Sequence, residues 1–536
     1  MIFDRLLDTA CQLKIWIMEY IFLGGAGEVG ASCMLLLVDK RHILIDCGVR
    51  VNESGSQSLP DLNLLKKEAP KLDAIFITHA HADHIGALPV VHKMYPNTPI
   101  YMTAATRSIG ATMLNNAAGL MFGKEDAIYT LKDAEFIIQL GEKEKVHSLH
   151  VGRWMPLWNG WRLKLIYSGH ILGAVSILME TPEGTFFYTG DVSLFHQKTI
   201  DGLEDVAGIE PDFMWCEATY GDSHHPSRAT EERRLVQAVF EVIENSGTVL
   251  IPSFALGRAQ EILLILQHAM ESKVIPAFPV YVDGLIQSIC SSYHNHSYAL
   301  GTRLRNKLKN LPPKLREIFR TQHIGYVSSR QQQVVLEDNT PKCIIASSGM
   351  LIGGASVVYA KRVASHPKNA IFLSGYQDAE SPGRRLQEME SGDLLTFGDE
   401  TSVEVKCQVK RFHLSAHSDQ GQLVSMIKQV NPKALSLVHG DPKALQALHD
   451  KLNKHYLVSI AKNSRIETVA NTFLWLSPAE REQMQQKRKN VDLNVKVQDG
   501  TVYMDTDTTS SQEWQDFEAG EHTAIFKDNQ LIIRKK

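Results

Sequence analysis

The 536-residue chain has no long uninterrupted apolar run. Its N-terminus carries Asp4, Arg5 and Asp8 ahead of a short apolar stretch broken by Lys14 and Glu19, so neither a signal peptide nor a membrane span is expected there. Cysteine is sparse as well. The seven thiols, from Cys11 to Cys407, are scattered with no CxxC pair, which argues against a thiolate metal site and against a disulfide framework. A soluble protein of a reducing cytoplasm, with no membrane partner, is the expectation. Basic charge is not in excess: 56 Lys+Arg against 60 Asp+Glu leave a net charge of -4. Attraction to nucleic acid therefore has to come from a local basic cleft. What the chain does have is core, since 44% hydrophobic residues over this length support at least two domains.

The segment Phe76 to Leu88 reads FITHAHADHIGAL, and it follows the apolar run Ala74 to Ile77, which has the pattern of a buried strand. A strand end holds side chains at fixed height, and one small Ala between His79 and His81 lets both imidazoles point the same way. Asp83 and His84 follow on the turn and face a second position. Imidazoles with a carboxylate suit zinc better than magnesium, which prefers oxygen ligands, or an iron-sulfur cluster, which needs thiolates. The competing reading is a histidine-rich surface loop.

Up to about residue 220 the chain reads mainly as strands. These are Tyr20 to Leu23, Met34 to Val38, His42 to Ile45, Ala74 to Ile77, Pro99 to Met102, Trp161 to Tyr167, a hairpin over Ser176 to Tyr188, and Phe213 to Glu217. Ile85 to Met94 is predicted to be a helix. From about Ser227 longer helices alternate with short apolar strands: Arg228 to Asn245, Thr248 to Ile251, Gly257 to Met270, Pro279 to Val282, Cys343 to Ala346 and Ala370 to Leu373. That alternation predicts a parallel sheet with crossover helices. Short strands return at Val405 to Phe412, Leu435 to Val438 and Val458 to Ala461. Gly25-Ala26-Gly27-Glu28-Val29-Gly30 matches a dinucleotide fingerprint, with Asp46 downstream, but that site needs a helix to start there. The chain continues instead as a predicted β-hairpin, which rejects the reading.

Taken together, these motifs resemble the metallo-β-lactamase superfamily and, within it, the β-CASP nucleases, a group that includes ribonuclease J and the endonuclease of mRNA 3′-end formation. The resemblance runs from about Tyr20 to Thr468. Asp46 closes ILIDCG, HAHADH is the second motif, His170 lies in YSGHILGA and Asp191 in YTGDVS. Glu217 in CEATYGD, His417 in LSAHSD and His439 in LVHGDP match the three β-CASP motifs. IPSFALGRAQEIL, ASSGML and GYQDAESPGRRL look like segments of the inserted domain. Alone, His170 or His439 is more often a satisfied core histidine, and Asp191 can merely cap a turn. Each, however, sits at the end of an apolar strand, as His79 does, so one sheet edge can gather them.

The resemblance implies an α/β fold: an αββα metallo-β-lactamase sandwich with an inserted β-CASP α/β domain of mainly parallel sheet. The expected division is an N-terminal extension over 1–18, the sandwich over 19–221 and 396–475, the insert over 222–395, and a polar linker with a small β appendage over 476–536. The resemblance further implies two zinc ions per chain, one on His79, His81 and His170, the other on Asp83, His84 and His439, with Asp191 between them. Asp46 then orients the ligand loop through hydrogen bonds. Two such ions about 3.5–4 Å apart acidify a bridging water and clamp a phosphate oxygen for in-line attack. The catalytic set is Asp83, Glu217 and His417, with His417 protonating the leaving sugar oxygen while Glu217 holds it.

A histidine at the position of His417 goes with RNA processing in the family, which makes RNA the expected substrate. A DNA nuclease of the same family and a small-molecule metallohydrolase are the alternatives. Endonuclease and 5′-to-3′ exonuclease action both stay open, as does a homodimer. Arg258, Lys361, Arg362, Arg384 and Arg385 are candidates to line an RNA cleft. Ser347, Ser348 and Gly349, between a buried strand and a predicted helix start, are either a phosphate cradle or an ordinary N-cap.

Overall fold

A computed structural model describes residues 17–139, 144–312, 316–378, 380–398 and 400–470, with four further strands at 495–498, 501–504, 522–527 and 530–535. The expected N-terminal extension lies almost wholly outside the described residues, as does most of the expected linker.

Two sheets face one another. In the first, Ile17–Gly24 lies between Cys33–Val38 and Ile466–Ala470. The sheet continues through Arg41–Ile45, Ala74–Phe76 and Ile100–Thr103 to Val146–Leu149. In the second, Phe213–Glu217 is flanked in parallel by Gly184–Tyr188 and Ala434–Val438. Alternation along the strands decides what each face meets. Tyr20, Phe22, Met34 and Leu36 pack between the sheets against Leu163, Ile177, Phe186 and Trp215. Their neighbours Ile21, Leu23 and Leu35 point outward under helices, as do Ile166, Leu178 and Met214 on the other side. Strands apolar on both faces are what two covering helix layers require. The Gly25 to Gly30 segment leads into Cys33–Val38, which pairs antiparallel with Arg41–Ile45 as the predicted hairpin, and no helix starts there.

A third sheet, of six strands paired in parallel, forms the insert in the order Ile324–Tyr326, Val280–Asp283, Lys342–Ala346, Thr248–Pro252, Ala370–Leu373, Gln408–Arg411. Val405 to Phe412 was expected to belong with the first layers. It stays on the insert because Phe412 stacks edge-on against Phe372, 5.3 Å between ring centroids, in the insert core. At the C-terminal end, strands 522–527 and 530–535 extend the edge of the first sheet through Val469, so part of the expected appendage joins the sandwich. Among the described residues no helix is long and apolar enough to cross a membrane. Six of the cysteines are buried and unpaired.

One helix expectation changes, and one helix had no expectation. Ile85 to Met94 is not one helix, because a turn at Ala82–Ile85 ends when Ala87 N–H turns to the Cys47 carbonyl, and Leu88–Met94 starts afresh. Ala104–Met121, an 18-residue helix capped by Thr103, carries too weak an apolar stripe to stand out in the sequence.

Candidate metal centre

All the candidate ligands sit just past strand ends on one edge of the sandwich. Asp46 follows Arg41–Ile45, His79 follows Ala74–Phe76, His170 follows Arg162–Tyr167, Asp191 follows Gly184–Tyr188, and His439 follows Ala434–Val438. The ligand loop is pinned by backbone bonds: Ser32 N–H to the Asp83 carbonyl, Cys47 N–H to that of His84, and Val49 N–H to that of Ala82. Gly48 makes this approach feasible, since a Cβ there would lie 1.7 Å from the Asp83 carbonyl oxygen.

Inward-facing atoms form two sets. His81 Nδ1 lies 3.2 Å from His79 Nε2 and 3.0 Å from His170 Nε2. Asp191 Oδ2 lies 3.4 and 3.5 Å from the same two Nε2 atoms. A tetrahedral ion with ligands at 2.0–2.1 Å has ligand–ligand edges of about 3.3–3.4 Å, so the spacing fits zinc. In the second set, His84 Nε2 is 3.9 Å and His439 Nε2 3.4 Å from Asp83 Oδ2. Asp191 Oδ1 lies 3.3 Å from His84 Nε2 and 3.2 Å from His439 Nδ1. One carboxylate thus offers an oxygen to each set, and its Oδ1 is buried with no hydrogen-bond partner. A buried carboxylate oxygen among converging imidazoles is a donor set for a cation.

Outward-facing atoms are occupied, which fixes ring orientation. His84 Nδ1 donates to Asp46 at 2.8 Å and His170 Nδ1 to the Ala416 carbonyl at 3.0 Å. Thr78 donates both its N–H and its hydroxyl to Asp46, and that hydroxyl lies 3.1 Å from His79 Nδ1. Fully buried Asp46 therefore orients one ligand of each set, directly for His84 and through Thr78 for His79. Residues without a sequence signal also contribute. Gln197 Nε2 donates to the carbonyls of Gly169 and His170 at 2.8 and 2.9 Å, and the Thr219 hydroxyl lies 3.2 Å from His439 Nδ1, the same nitrogen that faces Asp191.

The two sets differ electrostatically. Burial holds the His79 and His170 imidazoles well below their usual pKa, and it lowers His81 too. Burial also opposes the cationic form of His84, but Asp191 and Asp46 beside it push its pKa well up. His439 is raised in the same way by Asp191 and Asp83. Asp191 is held far below the carboxylate range by His439, His84 and His79, against the cost of burial.

Beside these sets stands His417, whose Nδ1 lies 3.0 and 3.2 Å from the two oxygens of Glu217. Glu217 is itself fixed by the N–H groups of Val192 and Thr219. Burial works against the charged ring, yet Glu217, then Asp191 and Asp83, raise the His417 pKa to about 9. Its side chain keeps 19% of its surface open, more than His170 or Asp191, so its Nε2 side is the one a substrate can reach.

The expected substrate-binding residues fare differently. Ser347, Ser348 and Gly349 do not start a helix. The helix begins at Ala355, and the intervening loop closes on itself, Ser348 donating its hydroxyl to the Gly353 carbonyl. The Ser347 hydroxyl accepts from Leu285 N–H, and the Gly349 carbonyl from Gln377. Both the N-cap and the phosphate cradle at a helix start lose their premise. Arg384 pairs with Glu388 at 3.1 Å, one turn along its own helix, and Arg385 donates to the Thr396 carbonyl. Arg258 is buried on the insert wall.

Comparison with known proteins agrees with this geometry. The metallo-beta-lactamase superfamily matches residues 26–252, the Beta-Casp domain 259–386, and the Zn-dependent metallo-hydrolase RNA specificity domain 402–462. Transcription termination factor FttA of Methanocaldococcus jannaschii is 32% identical over 451 residues, 81% of this chain and 68% of that protein. RNase aCSPSF2 of Saccharolobus solfataricus is 32% identical over 457 residues, 84% of this chain and 85% of that protein. A crystal structure of a protein of unknown function from Enterococcus faecalis V583 matches with a TM-score of 0.52 at 13% identity. It covers 85% of this chain and 100% of that one, and this likeness speaks for the fold alone.

Proposed function

Since the chain belongs to the β-CASP family of the metallo-β-lactamase superfamily, a family of metal-dependent hydrolases, we propose that it hydrolyses RNA phosphodiester bonds with two zinc ions. The observation that carries this is Asp191, with one oxygen turned to each of two ligand sets and His417–Glu217 alongside. His79, His81 and His170 hold one ion, Asp83, His84 and His439 the other, and Asp191 serves both. When bound, the ions supply Lewis acidity at a phosphate oxygen and a water acidic enough to attack phosphorus near neutral pH. Asp46, through Thr78 and His84, keeps the imidazoles aimed inward. Glu217 fixes the proton of His417 on Nδ1 and raises the basicity of the ring, leaving Nε2 to protonate the departing sugar oxygen. RNA as substrate draws support from the RNA specificity domain over residues 402–462, which contains His417, and from the ribonuclease relative. A reducing, cytoplasmic setting is consistent with six buried, unpaired thiols.

Incubating the zinc-loaded protein with 5′-monophosphate, 5′-triphosphate and 5′-hydroxyl RNAs, labelled at either end, tests the reading. Cleavage that stops with a chelator and returns with zinc is the expected result, and the products separate internal cutting from 5′-end trimming. RNA left intact by zinc-loaded protein overturns it.

A further inference from the structure

Arg258 opens the insert helix Arg258–Glu271 and is only 8% exposed. Its Nη1 is buried with no hydrogen-bond partner among the described residues. The nearest carboxylate on its own helix, Glu261, is already engaged. Glu261 accepts from Lys198 N–H at 2.9 Å, from Thr199 N–H at 2.6 Å and from the Thr199 hydroxyl at 2.5 Å, and it pairs with Arg228 at 3.0 Å. Arg228 then sets a second cation beside the first, and burial together with Arg228 outweighs the support that Glu261 gives the Arg258 charge. A buried guanidinium nitrogen without a partner costs stability, so a nitrogen the chain keeps in this condition is one whose partner comes from outside. A planar fork of donors matches the oxygens of a phosphate.

The position is as informative as the missing partner. Gly257, just before it, has a left-handed backbone with φ of 85°, and a Cβ there would lie 2.8 Å from Ile171 Cγ2. Ile171 follows the ligand His170, so the start of this helix is pressed against the metal edge. The groups that act on the Arg258 charge include Tyr220 and Tyr293. The Tyr220 ring stands 6.1 Å from that of His417, and the Tyr293 hydroxyl accepts from Leu172 N–H. Asp83 and Asp191, the carboxylates of the metal sets, pair with histidines and not with Arg258. Arg258 thus stands next to the reacting centre and outside it.

Resting on the ribonuclease reading, we propose that Arg258 is a substrate-positioning residue that binds an RNA backbone phosphate adjoining the scissile one. The ion sets and His417 serve the phosphate that reacts, while Arg258 holds its neighbour and so sets where the strand lies.

The test uses full-length, zinc-loaded protein, with the variants Arg258→Gln and Arg258→Lys, and short RNAs carrying one uncharged methylphosphonate linkage at successive positions. In the unaltered protein, neutralising one linkage beside the cleavage site should lower kcat/KM about 10- to 100-fold, the loss of one charge-assisted hydrogen bond. Arg258→Gln should lose the same factor on ordinary RNA and show no further loss with that linkage. Arg258→Lys should fall between. Zinc content should be unchanged in both, and the melting temperature of Arg258→Gln equal or higher, because a buried charge held at a cost has been removed. Unaltered kcat/KM in Arg258→Gln, a linkage penalty that persists in it, or loss of zinc or of folding in both variants overturns the assignment. If the unaltered protein cuts no RNA at all, the ribonuclease reading fails first and this inference with it. If it cuts but no neighbouring linkage matters, only this inference fails.

Discussion

The two ligand sets meet at Asp191 and share Asp46 as an anchor, yet they are prepared for a metal in opposite ways. His79, His81 and His170 are kept neutral by burial among one another. His84 and His439 are flanked by Asp46, Asp83 and Asp191, which favour protonated rings. A cation entering the first set meets lone pairs already free, whereas one entering the second must displace protons. The two sets are therefore expected to differ in how strongly protons compete with a metal ion.

The largest effect expected is that of His81→Ala, which removes the nitrogen lying within 3.2 Å of both other imidazoles in the first set. Turnover should be abolished with the fold intact, because the side chain sits in a loop and not in the core. Normal zinc content with normal turnover in this variant would remove the first set from the comparison. His417→Ala comes next and marks where the ligand sets end, since Asp191, Glu217 and His417 are also close enough together to hold an ion. If His417 is the acid, the chemical step should slow by about 10² to 10⁴ with both ions retained. Loss of zinc would make His417 a ligand.

Asp46→Asn should weaken zinc binding by about 10- to 100-fold, the usual cost of losing a partner behind a ligand. The second set should suffer more, because His84 bonds Asp46 directly while His79 reaches it through Thr78. Equal loss from both sets, read by stepwise competition with a chelator, would erase the distinction.

Acidification tests the two sets without a mutation. The second set has raised imidazole pKa values, so protons compete there at a higher pH than in the first. As pH falls, one zinc should leave from Asp83, His84 and His439 while the other stays, as measured by metal content after dialysis at successive pH values. Simultaneous loss would show that protons compete equally at both sets. The smallest effect belongs to Glu217→Gln. His417 must carry a proton to act, so activity declines as pH rises through its pKa, and Glu217 raises that pKa. Removing the carboxylate charge should move this alkaline decline to lower pH and reduce the rate less than His417→Ala does. An unmoved alkaline limb separates the limb from His417.

Legibility from sequence tracked locality. HAHADH and the strand before it lie within a dozen residues, and strand–loop geometry alone aims those side chains together. The hairpin of Cys33–Val38 and Arg41–Ile45 was equally readable, because two alternating strands with a short turn leave no room for a dinucleotide-binding helix. The break between Ala82–Ile85 and Leu88–Met94 was not readable, since it depends on the carbonyl of Cys47, from another strand end, capturing Ala87 N–H. Nor was the loop at Ser347 to Gly353, where the chain spends its hydroxyls and carbonyls on itself before the helix begins.

The amino-acid sequence alone laid out the candidate ligand residues in order along the chain and the alternation that makes two buried sheets and a parallel insert. Those follow from residue type and from spacing along the chain. It took the packing of the three sheets to turn the two oxygens of Asp191 to different sets, to bring Asp46 to a histidine in each, to set Gln197 against the His170 turn, and to bury Arg258 with its Nη1 unpartnered. Each of these is a distance between atoms far apart in the chain, set by how three sheets pack, and no local pattern encodes it.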